Sequence, residues 1–326
     1  MVSENAMAPY SVLIIGAGKI GAFFDTPQSE AVLTHAHAFS SHPGFILKGF
    51  VDADRQQAER AALLWGTEAF DSVTDAFACH SIDVAVAAVP DEAHCQLLLE
   101  LADRPLKLVF AEKPLAKSRA EAECIVQLYR ERCIGLAVNY SRRFVHAFAD
   151  LREKIAQGEF GRYLTGTGYY GKGTLHNGSH MIDLLCFLLG EPTGMTTLGA
   201  IRDWSDEDPT CSAVLEIAED CQFIMQGIDS RCYTLFEMDM FFENARVRLV
   251  DSGFALELYS VIDSQVFSDY RVLSIGKRLA VNLNTALYEA AAGIYGHLSA
   301  GRPLACTGED GARALAICTD ILGALV

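Results

Sequence analysis

Basic residues are scarce in this sequence, and long hydrophobic runs are absent. Its 326 residues include 26 Lys and Arg against 42 Asp and Glu, which gives a formal net charge of −16 at pH 7. A chain with this excess of negative charge repels nucleic acids and anionic membrane surfaces on average. No apolar segment reaches the roughly 18 residues that a membrane-spanning helix needs. We therefore expect neither a nucleic acid nor a membrane as partner.

Other absences concern cysteine spacing and the N-terminus. The ten cysteines include no C-x-x-C pair, and each lies in an apolar or helical context, which indicates buried, reduced thiols in a cytoplasmic protein. The stretch MVSENAMAPYSVLIIG has no basic patch before its short apolar run, so no signal peptide is expected. Low-complexity tracts and repeats are also absent, and the length allows two domains, each with its own core.

The first half of the chain alternates short apolar runs with helix-like segments. The apolar runs are continuous and rich in β-branched residues, as strands buried on both faces are. The predicted strands are YSVLII (10–15), FILKGFV (45–51), DVAVAAV (83–89), LKLVFAE (106–112) and CIGLAV (133–138). Segments such as DRQQAERAALLW and SRAEAECIVQLY predict helices between them. This order predicts a doubly wound parallel sheet with right-handed crossovers.

A glycine motif, GAGKIG (16–21), directly follows the first predicted strand. Gly16, Gly18 and Gly21 fit the dinucleotide-binding pattern G-x-G-x-x-G. The first glycine allows a tight turn, the second lets a pyrophosphate approach the backbone, and the third lets helix and strand pack closely. The free N–H groups at the start of the next helix then face the phosphates. We expect Lys19 and Ile20 within the motif to contact the cofactor as well.

An acidic residue, Asp52, ends the second predicted strand. It is placed to accept hydrogen bonds from the adenosine ribose, and its charge repels a 2′-phosphate, so NAD is expected rather than NADP. Arg55 lies close enough in sequence to weaken that preference, unless it is a solvated residue in the first turn of a helix.

The helix after the glycine motif is interrupted by DTPQSE (25–30), where Pro27 predicts a loop. One interpretation is that this loop borders the cofactor or substrate pocket. His35 and His37 follow it. They are two residues apart and point in different directions on a helix, so no metal role is expected for them.

Two further motifs, VPDEAH (89–94) and AEKPL (111–115), close predicted strands. Open α/β sheets bind ligands at this carboxyl edge, so we expect Pro90, His94 and Glu112 to contribute to the cofactor site. Lys113 precedes a proline, which restricts its backbone, and can reach a substrate hydroxyl or carbonyl beside the nicotinamide. The alternative is a surface lysine on a turn.

Two histidines, His176 and His180, stand four residues apart where a polar loop enters an apolar run. That spacing places both on one face of a helix and is the spacing of a zinc pair. A zinc site needs a third protein ligand, however, and neither Asp183 nor the scattered cysteines offer a recognisable set. His180 and Asp183 are neighbouring polar residues on a helix that is otherwise apolar. We expect His180 in the first helical turn, where the dipole favours its neutral form.

These motifs together carry a family resemblance. The segments GAGKIG, AEKPL, NYSRRF (139–144), GSHMIDLLCFLLGEP (178–192) and TGEDGARAL (307–315) occur in this order and at suitable spacing. The sequence resembles the Gfo/Idh/MocA family of nicotinamide-dependent oxidoreductases over nearly its whole length. The resemblance implies that Lys113 and His180 flank the reacting carbon, and that the substrate is a sugar, nucleotide-sugar or cyclitol.

The pattern of apolar runs changes from Asn139 onward. Runs between Arg162 and Val261 predict a mainly antiparallel, open sheet with helices on one face. We therefore divide the chain into a Rossmann dinucleotide-binding domain (1–138) and an α/β substrate-binding and oligomerisation domain (139–326). An uncovered apolar sheet face predicts a homodimer or homotetramer.

His176 departs from the family pattern, which commonly has aspartate at this position. A histidine cannot offset the charges of oxidised nicotinamide and Lys113, so Lys113 is expected to lose its proton more readily; alternatively, His176 simply contacts the substrate.

Further residues are expected to line the substrate site: Tyr140, Arg142, Arg143, Tyr169, Tyr170 and Asp183. A non-enzymatic, NAD-binding sugar sensor and an oxidoreductase of a non-sugar substrate remain alternatives.

Overall fold

A computed structural model describes residues 8–218 and 220–325. The chain forms two compact units. The first contains the residues up to Phe144 together with Asn284–Ala312, and the second contains Val145–Leu283 and the residues from Arg313 onward. Part of the N-terminal stretch in which no signal peptide is expected, residues 1–7, lies outside the described residues.

The first unit is built on a six-stranded parallel sheet. Its strands are β1 (Tyr10–Ile15), β2 (Phe45–Val51), β3 (Glu68–Phe70), β4 (Val84–Ala87), β5 (Leu108–Ala111) and β6 (Gly135–Val138). They lie in the order β3-β2-β1-β4-β5-β6, in which the chain order reverses beside β1, as in a Rossmann fold. The five strands predicted from sequence are confirmed. β1, β4 and β5 are buried throughout, which explains their uninterrupted apolar runs.

Helices follow these strands: α1 (His35–Ser41), α2 (Arg55–Trp65), α3 (Val73–Cys79), α4 (Asp91–Ala102) and α5 (Arg119–Glu131). Local side chains define where several of them begin. Asp54 caps α2 by accepting from two backbone N–H groups, and Ser118 and Glu121 form a reciprocal capping box at the start of α5. The two helices quoted from the sequence are therefore confirmed.

The second unit is built on a nine-stranded sheet. Its strands are β7 (Tyr163–Tyr170), β8 (Gly194–Ile201), β9 (Thr210–Ala218), β10 (Cys221–Gly227), β11 (Phe236–Phe242), β12 (Ala245–Val250), β13 (Ala255–Asp263), β14 (Arg271–Leu273) and β15 (Lys277–Ala280). Within the described residues, β7 and β10 pair in parallel and the other pairings are antiparallel, which confirms the mainly antiparallel sheet.

The two faces of this sheet differ in chemistry. Helices α6 (His146–Ala156) and α7 (Ser179–Leu189) belong to this unit, and the Met181 side chain of α7 lies directly against Gly168 on one face. The opposite face carries charged residues. Arg246 pairs with Asp239, and Arg248 pairs with Glu257 at 2.9 Å. The expectation of an uncovered apolar face is therefore wrong, because alternation along β11 and β12 turns polar side chains outward.

The end of the chain contributes to both units. Helix α8 (Ala286–Ala300) lies in the first unit, where Tyr295 packs edge-on against Tyr10 and the Tyr10 hydroxyl donates to the Leu298 carbonyl at 3.0 Å. Helix α9 (Gly308–Gly323) is divided between the units after Ala312. The units thus differ from the predicted division 1–138 and 139–326, because segment 284–312 packs back on the nucleotide-binding fold.

Cysteine exposure also departs from expectation. Cys211, Cys221, Cys306 and Cys318 are buried, and none of the described cysteines forms a disulfide. A second group is exposed: Cys79, Cys124, Cys133 and Cys232. Their burial was wrongly predicted, because Cys79 and Cys124 lie at exposed positions of α3 and α5, and Cys133 and Cys232 lie in turns. Within the described ranges, no helix combines the length and apolar character required to cross a membrane.

Candidate active site

The glycine motif has the geometry that its residue types suggest. Gly16 has φ of +99°, and a Cβ there would lie 2.2 Å from the Ala88 carbonyl oxygen. A Cβ at Gly21 would lie 2.1 Å from the Gly16 oxygen, whereas a Cβ at Gly18 would meet nothing within 4 Å. Gly16 and Gly21 are therefore required by packing, and the space at Gly18 is open to a ligand.

The motif borders a cavity of about 490 Å³ in the first unit. Of the predicted cofactor residues, six line this cavity: Gly16, Gly18, Lys19, Ile20, Asp52 and Pro90. Phe24, next to the DTPQSE loop, lines it too. The position beyond the carboxyl ends of β1, β2 and β4 is where doubly wound sheets bind nucleotides, and the open space at Gly18 fits a pyrophosphate.

Asp52 is held in the wall of this cavity by three donors. Its Oδ2 accepts from the Ala17 N–H at 2.7 Å and the Gln57 amide at 3.2 Å, and its Oδ1 accepts from the Asp54 N–H at 2.9 Å. Arg55 instead pairs with Glu59 at 2.9 Å and Asp71 at 3.0 Å. The cavity wall therefore presents the Asp52 carboxylate, while carboxylates elsewhere engage the Arg55 charge.

The other predicted cofactor residues lie behind or beside the cavity. His94 is buried, with its Nε2 3.2 Å from the Ala87 carbonyl at the end of β4. Glu112 follows β5 and receives two hydrogen bonds at the same oxygen, Oε1: one from His35 Nε2 at 2.8 Å and one from the Asn139 amide at 2.7 Å.

The charge state of Glu112 follows from these contacts. Burial raises the pKa of Glu112, but the hydrogen bonds from His35 and Asn139 and the charge of Lys113 lower it. The lowering contributions win, so the pKa lies below its usual value and Glu112 is a carboxylate at neutral pH.

Lys113 follows Glu112 at the carboxyl end of β5, is partly exposed, and joins Pro114 through a cis peptide bond. The NYSRRF segment continues from β6 into a short 3₁₀ turn, Ser141–Phe144. Tyr140 is 2% exposed, and Arg143 is buried and pairs with Asp310 at 3.1 Å. Tyr140 and Arg143 thus lie inside the first unit, whereas the neighbouring Arg142 is partly exposed.

The two histidines of the second unit belong to one continuous helical stretch. Residues Gly173–Gly178 form a π-helical turn that leads directly into α7, so His176 precedes α7 and His180 is its second residue. Asp208 caps the start of the π-helical turn by accepting from the N–H groups of Leu175 at 2.7 Å and His176 at 2.9 Å. The expectation that His180 lies in the first helical turn holds for α7 alone, because the helical stretch begins earlier.

His176 is exposed and stacks on Trp204, which lies in the loop between β8 and β9. The loop is held by Asp203, which accepts from the N–H groups of Lys172 and Ser230, both at 3.0 Å, and from the Thr210 hydroxyl at 2.5 Å. Burial raises the pKa of Asp203, but these hydrogen bonds outweigh it and lower the pKa to about 2. Asp203 is therefore an anion that anchors the loop.

The tyrosine pair on β7 is split by strand alternation. Tyr170 is fully buried, and its hydroxyl donates to the Cys211 carbonyl at 2.6 Å, so this side chain is structural. Tyr169 is 39% exposed and lies on the face of the sheet opposite Met181 of α7. The structure thus does not bring Tyr169 together with the helix that carries His180. Asp183, in contrast, is buried on that same helix.

Several residues of these sites have no motif in the sequence. They are His35, Asp203, Trp204 and Asp208, each with a partner that is distant along the chain. Asn139 belongs to the NYSRRF segment, but its hydrogen bond to Glu112 was not predicted. The Asp208–Pro209 pair, a common start of a turn, is the available signal for one of them. Across residues 8–218 and 220–325, no group of three or more His, Cys, Asp or Glu side chains is arranged to hold a metal ion.

Comparisons with known proteins fit this geometry. Residues 10–140 match the Gfo/Idh/MocA profile, described as an oxidoreductase family with an NAD-binding Rossmann fold. The chain is 27% identical over 241 residues to inositol 2-dehydrogenase from Rhizobium meliloti, covering 66% of this chain and 67% of that protein. The next curated relatives are matched over about half of their own length, 43% and 56%.

Solved structures extend the likeness to the whole chain. Levoglucosan dehydrogenase, in complex with NADH and levoglucosan, superposes with a TM-score of 0.81 at 15% identity, covering 97% of this chain and 96% of that chain. UDP-N-acetylglucosamine 3-dehydrogenase GnnA from Acidithiobacillus ferrooxidans gives 0.78 at 19% identity, covering 98% of both chains. At these identities the likeness concerns the fold.

Proposed function

We propose that the chain is a member of the Gfo/Idh/MocA oxidoreductase family, whose profile matches residues 10–140, and that it is an NAD-dependent dehydrogenase acting on a ring carbon of a cyclitol, sugar or nucleotide-linked sugar. NAD, when bound, supplies the nicotinamide carbon that exchanges hydride with the substrate. The observation that carries the proposal is the cavity of the first unit, open at Gly18 and walled by the fixed Asp52 carboxylate. Inositol and levoglucosan dehydrogenases among the similar proteins support the substrate class.

Lys113 and His180 are proposed to handle the proton of the reacting hydroxyl. A neutral imidazole or amine accepts that proton as the C–H bond of the same carbon breaks, and returns it in the reverse reaction. Lys113 is supported by its place at the carboxyl edge of the sheet beside an ionised Glu112. His180 is supported by its place on the buried helix α7.

The remaining substrate residues are proposed in two groups. His176 and Arg142 are at least partly exposed and are assigned to direct contact with substrate hydroxyls. Tyr140, Arg143 and Asp183 are buried, so they act by holding the backbone and side chains around that contact. Tyr169 lies on the open sheet face, which makes it the weakest member of the predicted set.

Cofactor absorbance at 340 nm tests the proposal directly. The purified protein is incubated with NAD and a panel of inositols, free sugars, anhydrosugars and nucleotide-linked sugars, and Lys113→Met is the matched control. We expect turnover of at least one ring alcohol by the wild type only. Ligand-dependent NADH binding without turnover of any compound would instead favour the sugar-sensing regulator.

We further propose that the protein is cytoplasmic and forms a homodimer or homotetramer through the open face of the nine-stranded sheet. The face carries paired charges, Asp239 with Arg246 and Arg248 with Glu257, and a two-fold axis through the face would place these pairs opposite their own copies. Light scattering at micromolar concentration measures the state. A monomer there contradicts the assignment.

A further inference from the structure

We propose that His35 is a positioning residue for Lys113, because it holds the Glu112 carboxylate in a fixed orientation directly before the lysine. The inference rests on the proposed role of Lys113 in the reaction. His35 lies on a different element, the first residue of α1, and reaches Glu112 through one hydrogen bond of 2.8 Å.

Packing restrains the His35 ring. It is fully buried, and Phe110 of β5 packs edge-on against it with centroids 5.1 Å apart and planes at 87°. Its Nδ1 is buried with no hydrogen-bond partner among the described residues. A buried N–H without an acceptor is more costly than a bare ring nitrogen, so the hydrogen belongs on Nε2, which donates to Glu112.

The loop before α1 places His35 beside Glu112. Asp25, in the DTPQSE loop, is buried and accepts from the Leu33 N–H at 2.6 Å, the Thr34 hydroxyl at 2.5 Å and His37 Nδ1 at 2.8 Å. Thr34 in turn caps α1 by accepting from the His37 N–H. The loop that interrupts the first unit thus closes on itself and starts α1 with His35 facing the carboxyl end of β5.

The groups that act on Glu112 come from three parts of the chain. His35 lies on α1, Asn139 follows β6, and Lys113 is the next residue in the chain. Burial raises the pKa of Glu112 and the hydrogen bond from His35 lowers it. Without His35 the pKa of Glu112 therefore rises, and the carboxylate becomes easier to protonate. The Glu112 side chain also loses one of the two contacts that orient it, so the charge of Lys113 faces a carboxylate that is no longer held in one orientation.

The experiment compares three variants with the wild-type enzyme. His35→Leu removes the hydrogen bond, and His35→Gln places an amide N–H near the position of Nε2. His37→Leu is the matched control: it is on the same helix, is also buried, and also gives up a 2.8 Å contact with a carboxylate, that of Asp25. The lysines are reductively methylated with ¹³C, and the Lys113 signal is assigned by its loss in Lys113→Met.

The titration midpoint of Lys113 is read by NMR, so the result does not require turnover. We expect His35→Leu to lower it by about 1 pH unit, to move the pH–rate midpoint in the same direction, and to reduce kcat about tenfold or more. His35→Gln should behave more like the wild type than like His35→Leu in all three measurements. His37→Leu should lower the melting temperature and leave the Lys113 midpoint in place, because Asp25 keeps two of its three donors, the Leu33 N–H and the Thr34 hydroxyl, which hold the start of α1.

The proposal is overturned if His35→Leu and His37→Leu lower the melting temperature alike while the Lys113 midpoint and pH–rate profile stay unchanged, since His35 is then purely structural. If His35→Leu does not fold, His35→Phe keeps an aromatic ring against Phe110 without the donor to Glu112 and tests the same link. A protein without turnover on any ring alcohol, but with the expected shift in the Lys113 midpoint, would contradict the proposed function and leave the His35–Glu112 link standing.

Discussion

His176 and Trp204 form a stacked pair, with ring centroids 4.6 Å apart and planes within 19° of parallel. Both rings are exposed, Trp204 by 51%. Asp203 and Asp208 fix the loop and the helical turn on which the rings lie. The stack therefore sets the direction of the His176 ring, four residues before His180, without burying it.

Removal of this stack is expected to weaken substrate binding more than turnover. Aromatic pairs contribute roughly 0.5–1.5 kcal/mol, so Trp204→Ala should raise KM about two- to tenfold and leave kcat within about threefold. Steady-state kinetics with the ring alcohol found by screening measures both constants. Tyr233→Ala, which changes another exposed aromatic residue of the same unit, is the control and should leave both unchanged.

Cofactor choice is expected to depend on Asp52. The wild type should use NAD more efficiently than NADP, because the carboxylate in the cavity wall repels a 2′-phosphate. Repulsion between unit charges 4 Å apart is worth about 1 kcal/mol even in water, so Asp52→Ser should raise the NADP to NAD ratio of kcat/KM about fivefold. Arg55→Ala should not change that ratio, since Arg55 pairs with Glu59 and Asp71. A wild-type preference for NADP would contradict the assignment.

Lys113→Met is expected to lose turnover and to keep its affinity for NADH. The loss should be ~10²–10⁴-fold, the usual scale for a positioned proton-transfer group. NADH fluorescence titration measures binding, and cofactor absorbance measures turnover. Lys117→Met changes a more exposed lysine that pairs with Glu92 and should behave as wild type. Normal turnover in Lys113→Met would remove the lysine from the mechanism.

The two histidines of the helical stretch are expected to behave differently from each other. His180→Ala should lose most turnover, again by ~10²–10⁴-fold. His176→Asp should remain active, because it restores the residue that the family commonly has there. Chelators should leave the wild type active. Metal analysis of the purified protein is the independent measurement, and stoichiometric zinc together with equal loss in both variants would establish a metal pair instead.

Asp203 is expected to make stability depend on pH in the acidic range. Its folded-state pKa of about 2 lies below the usual 3.8, so its contribution is fully present above about pH 4 and is lost as the pH falls towards 2. Allowing for solvent screening of a partly exposed group, the contribution is about 1 kcal/mol. Urea unfolding at pH 7 and pH 3.5 measures the free energy of unfolding of the wild type and of Asp203→Asn. The difference between the two proteins should be smaller at pH 3.5. Asp206→Asn, on the exposed part of the same loop, should have the wild-type free energy of unfolding at both pH values.

The sequence predicted the strands whose burial is uniform or strictly alternating. β1 and β11 are examples, because an uninterrupted apolar run and a period of two are visible without the fold. β3 was not predicted, since three residues, Glu68–Phe70, carry no period and form a strand only through pairing with β2. The return of α8 to the first unit was missed for a related reason: it depends on contacts of Tyr10 with Tyr295 that are remote in sequence.

The sequence likewise predicted some residues of the candidate site and missed others. Gly16, Gly18 and Asp52 were predicted because the chemistry of a βα turn fixes their spacing, and they line one cavity. The hydrogen bond from His35 to Glu112 joins residues 77 positions apart, and His37, two residues away, has the same type of partner in Asp25. Residue type and spacing do not distinguish these two histidines, because the distinction arises from which carboxylate each one faces after folding.

The division of the chain into two units that each use separate segments has a consequence for dissection of the protein. The backbone crosses from one unit to the other after Phe144, Leu283 and Ala312, the last time within α9. A fragment that ends at Phe144 carries all six parallel strands but lacks Tyr295, Leu298 and Asp310, which complete the surroundings of Tyr10 and Arg143. Truncation at that break therefore produces an incomplete fold, whereas a circular permutant that joins the present termini keeps every segment of both units in one polypeptide.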